Sequence, residues 1–117
     1  MSTESILLVG NGGREHAMAA AIRNDTPDAN LYIAPGNPGT ARLGTNVPIA
    51  ADDVAQLLRF AADRSIGLTI VGPEAPLAAG LGDAFAERGL PLFGPDAAAA
   101  RIESSKAFAK RLMAEEG

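Results

Sequence analysis

Short apolar runs that stop at glycine alternate along the chain with segments in which apolar residues recur at helical spacing. This alternation predicts an α/β fold, Rossmann-like, with a mostly parallel sheet of about five strands and helices on both faces. Ile6-Leu7-Leu8-Val9 predicts a buried strand ended by Gly10, and an alanine-rich helix follows over residues 14–24. Leu31-Tyr32-Ile33-Ala34 predicts a second strand. The stretch after it, Pro35-Gly36-Asn37-Pro38-Gly39, is too rich in proline and glycine for regular structure and predicts a loop. Asp52 or Asp53 can cap a helix whose Val54, Leu57, Leu58, Ala61 and Ala62 share a face, with Gly67 placed to stop it. Leu68-Thr69-Ile70-Val71 is the clearest strand. It ends at Gly72-Pro73-Glu74-Ala75-Pro76, and Leu77, Leu81 and Phe85 then form the stripe of one further helix closed by Gly89. Leu92-Phe93 predicts a short last strand, Gly94-Pro95 a turn, and Asp96 the cap of a brief helix over the alanines that follow. Ser104 can cap a final helix over residues 105–116, where Phe108 and Leu112 lie one turn apart. No strand follows to cover this helix, so the chain is expected to be a piece of a longer protein.

A length of 117 residues fits one compact domain, and 47% hydrophobic against 21% charged residues is the balance of a chain that folds. The net charge of −4 works against attraction to nucleic acid or to an anionic membrane surface. With no cysteine, disulfide frameworks, thiolate zinc sites and cysteine nucleophiles are all excluded. Met1 to Ser5 carry no basic region, and the apolar run at residues 6–9 is too short for a signal-peptide core or a membrane span, so a cytoplasmic protein is expected.

The candidate chemistry lies where strands end. Gly10-Asn11-Gly12-Gly13-Arg14-Glu15-His16 joins the first strand to the first helix, where small residues bring backbone amides close to a ligand and the helix start favours an anion. It can equally be a tight crossover that needs no side chains. A dinucleotide is disfavoured, because the G-x-G-x-x-G fingerprint needs glycine where Glu15 stands, and the acid expected after the second strand is missing. His16, the only histidine, is either a polar contact to ligand or a side chain that fixes the loop, and without a neighbouring acid pair it makes no metal site. In open parallel sheets, ligands gather beyond the carboxyl ends of strands. There the first loop, the Pro35 to Thr40 loop and the Gly72-Pro73-Glu74 loop would converge. Glu74 can accept hydrogen bonds from ligand hydroxyl or amine groups, or can be a solvated acid or a cap for the next helix. Lys106 and Lys110, with Arg111 beside them, read either as phosphate ligands or as a solvated basic face.

Four motifs occur in order and in register: Val9-Gly10-Asn11-Gly12-Gly13-Arg14-Glu15-His16-Ala17, Ala34-Pro35-Gly36-Asn37-Pro38-Gly39-Thr40, Val71-Gly72-Pro73-Glu74-Ala75-Pro76-Leu77 and Phe93-Gly94-Pro95. Together with Glu103-Ser104-Ser105-Lys106-Ala107-Phe108-Ala109-Lys110, they resemble the amino-terminal part of the phosphoribosylamine-glycine ligase (glycinamide ribonucleotide synthetase) family over nearly the whole chain. The Ala19-Ala20-Ala21 run departs from the bulkier, more polar helix common in that family. The resemblance implies a pre-ATP-grasp domain over residues 1–103, with residues 104–117 forming the first helix of an ATP-grasp module that lies beyond this chain. It implies a de novo purine-biosynthesis reaction in which ATP, with Mg2+ or Mn2+, activates glycine as glycyl phosphate and the amine of phosphoribosylamine displaces the phosphate. Gly12, Gly13, Arg14, Pro35, Gly36, Asn37 and Glu74 would then face phosphoribosylamine, and Lys106 would contact nucleotide phosphate. Most of the ATP and metal site, and the catalytic groups, would belong to the rest of the polypeptide, leaving this chain inactive alone. A self-sufficient, non-catalytic nucleotide- or phosphate-binding module is the alternative.

Overall fold

The chain was analysed as a computed structural model, which describes residues 4–73 and 75–94. Five strands form one wholly parallel sheet in the order β3-β2-β1-β4-β5. The chain runs through β1 (Ser5–Gly10), α1 (Gly13–Asp25), β2 (Asn30–Pro35), a 3-10 turn (Thr40–Arg42), β3 (Thr45–Asn46), α2 (Val54–Asp63), β4 (Leu68–Val71), α3 (Ala75–Ala78), α4 (Leu81–Glu87) and β5 (Leu92–Phe93). The α/β reading of the sequence is borne out.

Alternation along the central strands splits the core into two layers. Ile6 and Leu8 of β1, Leu31 and Ile33 of β2, and Leu68 and Ile70 of β4 pack with Met18, Ala19 and Ile22 of α1. Leu7, Val9, Ala34 and Val71 face the other way, against Leu57 and Ala61 of α2 and Leu81 and Phe85 of α4. Because both faces are covered, β1 and β4 read as unbroken apolar runs rather than as alternating ones. Each fully buried Leu, Ile or Phe contributes about 1.5–3 kcal/mol by leaving water, so these layers dominate the stability of the sheet.

Register decides where the loops begin. Val9 stands opposite Ala34 and Val71, and Gly10 opposite Pro35. The chain therefore leaves β1, β2 and β4 at one level and on one edge, at the place where the strand order reverses direction.

Several local expectations are corrected. The strand that no apolar run marks is β3, the polar pair Thr45 and Asn46, held by pairing to Tyr32 and Ile33. The stripe of Leu77, Leu81 and Phe85 belongs to two short helices, because Gly80 adopts φ 100°, a left-handed conformation that interrupts the helix and that glycine accepts without a Cβ clash. The left-handed residue after α2 is Ser65 (φ 54°), whereas the Gly67 N–H donates to Ser5 O at 2.9 Å and ties the approach to β4 onto β1. Of the two cap candidates, Asp53 caps α2, accepting from the Gln56 N–H at 3.2 Å. Gly89 does close α4, with the Leu90 N–H donating back to Phe85 O at 2.9 Å. The helices expected after Asp96 and Ser104 lie outside the described residues.

Candidate functional site

The three loops interlock at the carboxyl edge of the sheet. The Gly36 N–H donates to Gly10 O and the Gly72 N–H to Val9 O, both at 3.0 Å, so the sheet ladder continues one residue past each strand end. The first loop is pinned from below by Glu15. This residue is 5% exposed, although it belongs to the first turn of α1, and its Oε1 accepts from the Gly12 N–H at 2.7 Å. A free amide at a helix start is thereby satisfied within the protein. The Glu15 stem lies between Gly10 and Gly72, and a Cβ on either glycine would overlap it. Arg14, on the adjacent solvent-facing position, is exposed and reaches across to Gly72 O through Nη1 at 3.4 Å.

The second loop is built around Thr40, which is 0% exposed. Its Oγ1 accepts from the Asn37 N–H at 2.8 Å and points its single proton between Asn37 O (2.9 Å) and Asn46 Oδ1 (2.8 Å). Asn46, from β3, donates to Asn37 O at 2.9 Å and packs its amide against Gly36, leaving no room for a Cβ there. Asn37 itself accepts from the Thr40 N–H through Oδ1 at 3.0 Å. Its Nδ2 donates to Asn11 O at 2.9 Å and, more weakly, to Gly12 O at 3.4 Å. The side chain of Asn37 thus clamps the second loop to the first. His16 stands beside this clamp with an exposed ring, and a Cβ on Gly39 would come within 3.2 Å of its Nε2.

Six of the residues singled out from sequence, Gly12, Gly13, Arg14, Pro35, Gly36 and Asn37, therefore meet on one edge. Pro35 follows Ala34 through a cis peptide bond, and Gly13 is exposed with open space around it. Gly72 and Pro73 bring the third loop to the same edge. Glu74 and Lys106 lie outside the described residues. Glu15 and Thr40 lie within the loops named from the sequence but have no role of their own in that reading, and Asn46 is not named in it. Glu15 did carry a signal, an acid three residues into a helix that starts at glycine. Asn46 carried none, since its place in a strand depends on pairing with β2.

What the edge offers a ligand is a rim of backbone N–H and C=O groups from the loops, one exposed guanidinium suited to an oxyanion, and a fixed carboxylate beneath. Among the described residues, no group of three or more His, Asp or Glu side chains could hold a metal ion, and no helix is long and apolar enough to cross a membrane.

Residues 4–103 match the family model described as "Phosphoribosylglycinamide synthetase, N domain". The chain belongs to this family. Among curated proteins, it is 57% identical over 114 residues to the phosphoribosylamine–glycine ligase of Allochromatium vinosum, covering 96% of this chain and 27% of that protein. The ligase of Haemophilus influenzae is 53% identical over 94% of this chain and 26% of its own length. That of Rhodopirellula baltica is 47% identical over 97% and 26%. The chain thus spans about a quarter of the length of the curated relatives it matches. Among solved structures, the phosphoribosylamine–glycine ligase of Thermotoga maritima aligns with a TM-score of 0.47 at 27% identity, over 61% of this chain and 16% of that one. The family match spans all three loops of the carboxyl edge, and in sequence it also includes Glu74.

Proposed function

We propose that this synthetase N domain forms the phosphoribosylamine-facing wall of an ATP-dependent carbon-nitrogen ligase, acting in the cytoplasm in purine biosynthesis. The observation that carries the reading is the family match across the three interlocked loops. In this reading, residues 1–103 are the substrate-binding domain, and residues 104–117 lead into an ATP-grasp module supplied by the remainder of the polypeptide. ATP would supply the phosphoryl group that turns the glycine carboxylate into an acyl phosphate, and Mg2+ or Mn2+, held by the remainder of the polypeptide, would offset the phosphate charge. The amine of phosphoribosylamine then forms the amide bond at that carbonyl and gives up one proton, and the phosphate departs as leaving group with the bond's electron pair, giving glycinamide ribonucleotide.

The parts of this chain have separate tasks. The clamped first and second loops present Gly12, Gly13, Pro35 and Gly36 as a rigid backbone surface, which lowers the cost of ordering a small polar substrate. Arg14 offers an exposed cation, and Asn37 acts through the loops it joins. Glu74 is the acceptor for ribose hydroxyls or the reacting amine, and Lys106 faces nucleotide phosphate.

A chimera tests the reading. This chain replaces the matching quarter of the Allochromatium vinosum ligase, and ADP release is followed with glycine and phosphoribosylamine. The chimera is expected to turn over, and the 117-residue chain alone to release no ADP. A folded but inactive chimera would remove the ligase reading. Within an active chimera, Glu74→Gln should lower kcat/KM for phosphoribosylamine by about one to two orders of magnitude, the equivalent of a lost charge-assisted hydrogen bond of about 1.5–3 kcal/mol. Lys106→Ala should chiefly weaken the use of ATP. Equal losses for all three substrates, in step with melting temperature, would take Glu74 out of the site.

A further inference from the structure

In the α/β folds that bind dinucleotides, the diphosphate rests at the start of the first helix, where the second glycine of the fingerprint lets the backbone approach it and the third lets helix and strand pack closely. Here Gly10 and Gly12 keep the first two positions of that pattern, β1 and β4 flank the same crevice, and Glu15 stands at the third position. Its carboxylate does not swing out to solvent. It is 5% exposed, its stem is seated between Gly10 and Gly72, and its Oε1 takes up the Gly12 N–H at 2.7 Å. Among the described residues, that amide is the only hydrogen-bond donor to the carboxylate, and Oε2 lies against Gly72. The protein has thus used its own oxyanion to take up the N–H of the second fingerprint glycine, the amide that a phosphate at this helix start would approach. A carboxylate beneath the first loop disfavours a second oxyanion at this helix start.

We propose that Glu15 is a specificity-determining residue, a built-in anion that shuts phosphate and diphosphate groups out of the β1–β4 crevice. A phosphorylated sugar amine is thereby oriented with its hydroxyl- or amine-bearing end toward the floor and its phosphate away from it. The orientation of the sugar rests on the ligase reading. The exclusion of phosphate rests on the geometry of this chain alone.

The test is a titration of the folded chain with inorganic diphosphate at fixed ionic strength, read from the amide resonances of Gly12, Gly13 and Arg14. Three forms are compared: the parent chain, Glu15→Gly, which restores the third fingerprint glycine and frees the Gly12 N–H, and Glu15→Gln, which keeps the shape and removes the charge. The parent is expected to show no saturable shift at these amides. At least one of the two variants should gain affinity by about tenfold or more, the size of a favourable partly buried charge effect at a helix start. Should Glu15→Gly fail to fold, Glu15→Gln decides alone. Saturable binding to the parent at these amides, or no gain in either folded variant, would overturn the proposal. The titration involves no turnover, so an inactive chimera would refute the ligase reading and leave this result standing, and the reverse also holds.

Discussion

At Gly72 the missing side chain is a packing requirement, since a Cβ there would overlap the Glu15 carboxylate. Gly72→Ala is therefore expected to destabilise the fold by about 1–3 kcal/mol, the usual cost of overpacking a filled site. The cost should largely vanish when Glu15→Ala is introduced with it. A double-mutant cycle by urea denaturation checks this, with an expected coupling above about 0.5 kcal/mol. Gly10 differs, because its φ of 142° is itself disallowed to most side chains, so Glu15→Ala should recover only part of the loss in Gly10→Ala. Additive effects at Gly72 would mean that Glu15 relaxes away without cost. Thr40 offers a second check at this scale. Thr40→Val keeps the shape but strands the Asn37 N–H and removes the proton shared with Asn37 O and Asn46, so a loss of about 1–3 kcal/mol is expected. Thr40→Ser keeps the hydroxyl and should recover most of the stability, as melting curves of the two variants would show.

At the scale of elements, caps and breaks can be tested without touching the site. Asp53 accepts from the Gln56 N–H and, at 2.6 Å, from the Gln56 side-chain amide, so Asp53→Ala should cost about 0.5–2 kcal/mol, and Asp53→Ser much less. Gly80→Ala meets no neighbour within 4 Å, so its expected cost of about 1–2 kcal/mol is that of the left-handed backbone alone, and Asn at this position should recover part of it. These two sites also show what was legible in the sequence. A cap residue acts within three positions of itself, and the Asp52-Asp53 pair was readable down to a choice of two. The break at Gly80 was hidden, because Leu77, Leu81 and Phe85 keep helical spacing across it and all turn toward the same layer. Buried strands announced themselves as apolar runs, but β3 is polar and two residues long, and it exists only because β2 supplies its partners. The loops were legible as places, through their glycines and prolines. Their wiring was not, since Asn37 reaches Asn11 and Asn46 reaches Asn37 across separations that no local pattern encodes.

For the molecule as a whole, the strand order makes β1 the mechanical centre. It pairs over Ser5–Gly10 with β2 and over four positions with β4, and its side chains feed both core layers. Among the described residues, the two-residue strands β3 and β5 lie at the ends of the strand order. Opening an outer strand exposes few apolar atoms, whereas freeing β1 requires both layers to part, which is global unfolding. Native-state hydrogen exchange should therefore find Leu7, Leu8 and Val9 exchanging with the full free energy of unfolding, typically about 5–15 kcal/mol for a domain of this kind, and steeply dependent on denaturant. Asn46 should exchange through smaller openings that denaturant scarcely affects. The same ordering bears on the site. The loops that carry Gly12, Gly36 and Gly72 begin one or two residues beyond the central strands, so their foundations belong to the most protected part of the sheet. If β1 exchanged through denaturant-independent openings, or if β3 were as protected as β1, the central strand would not be the anchor of the carboxyl edge, and the rigidity assigned to the first and second loops would have to come from their side-chain clamp alone.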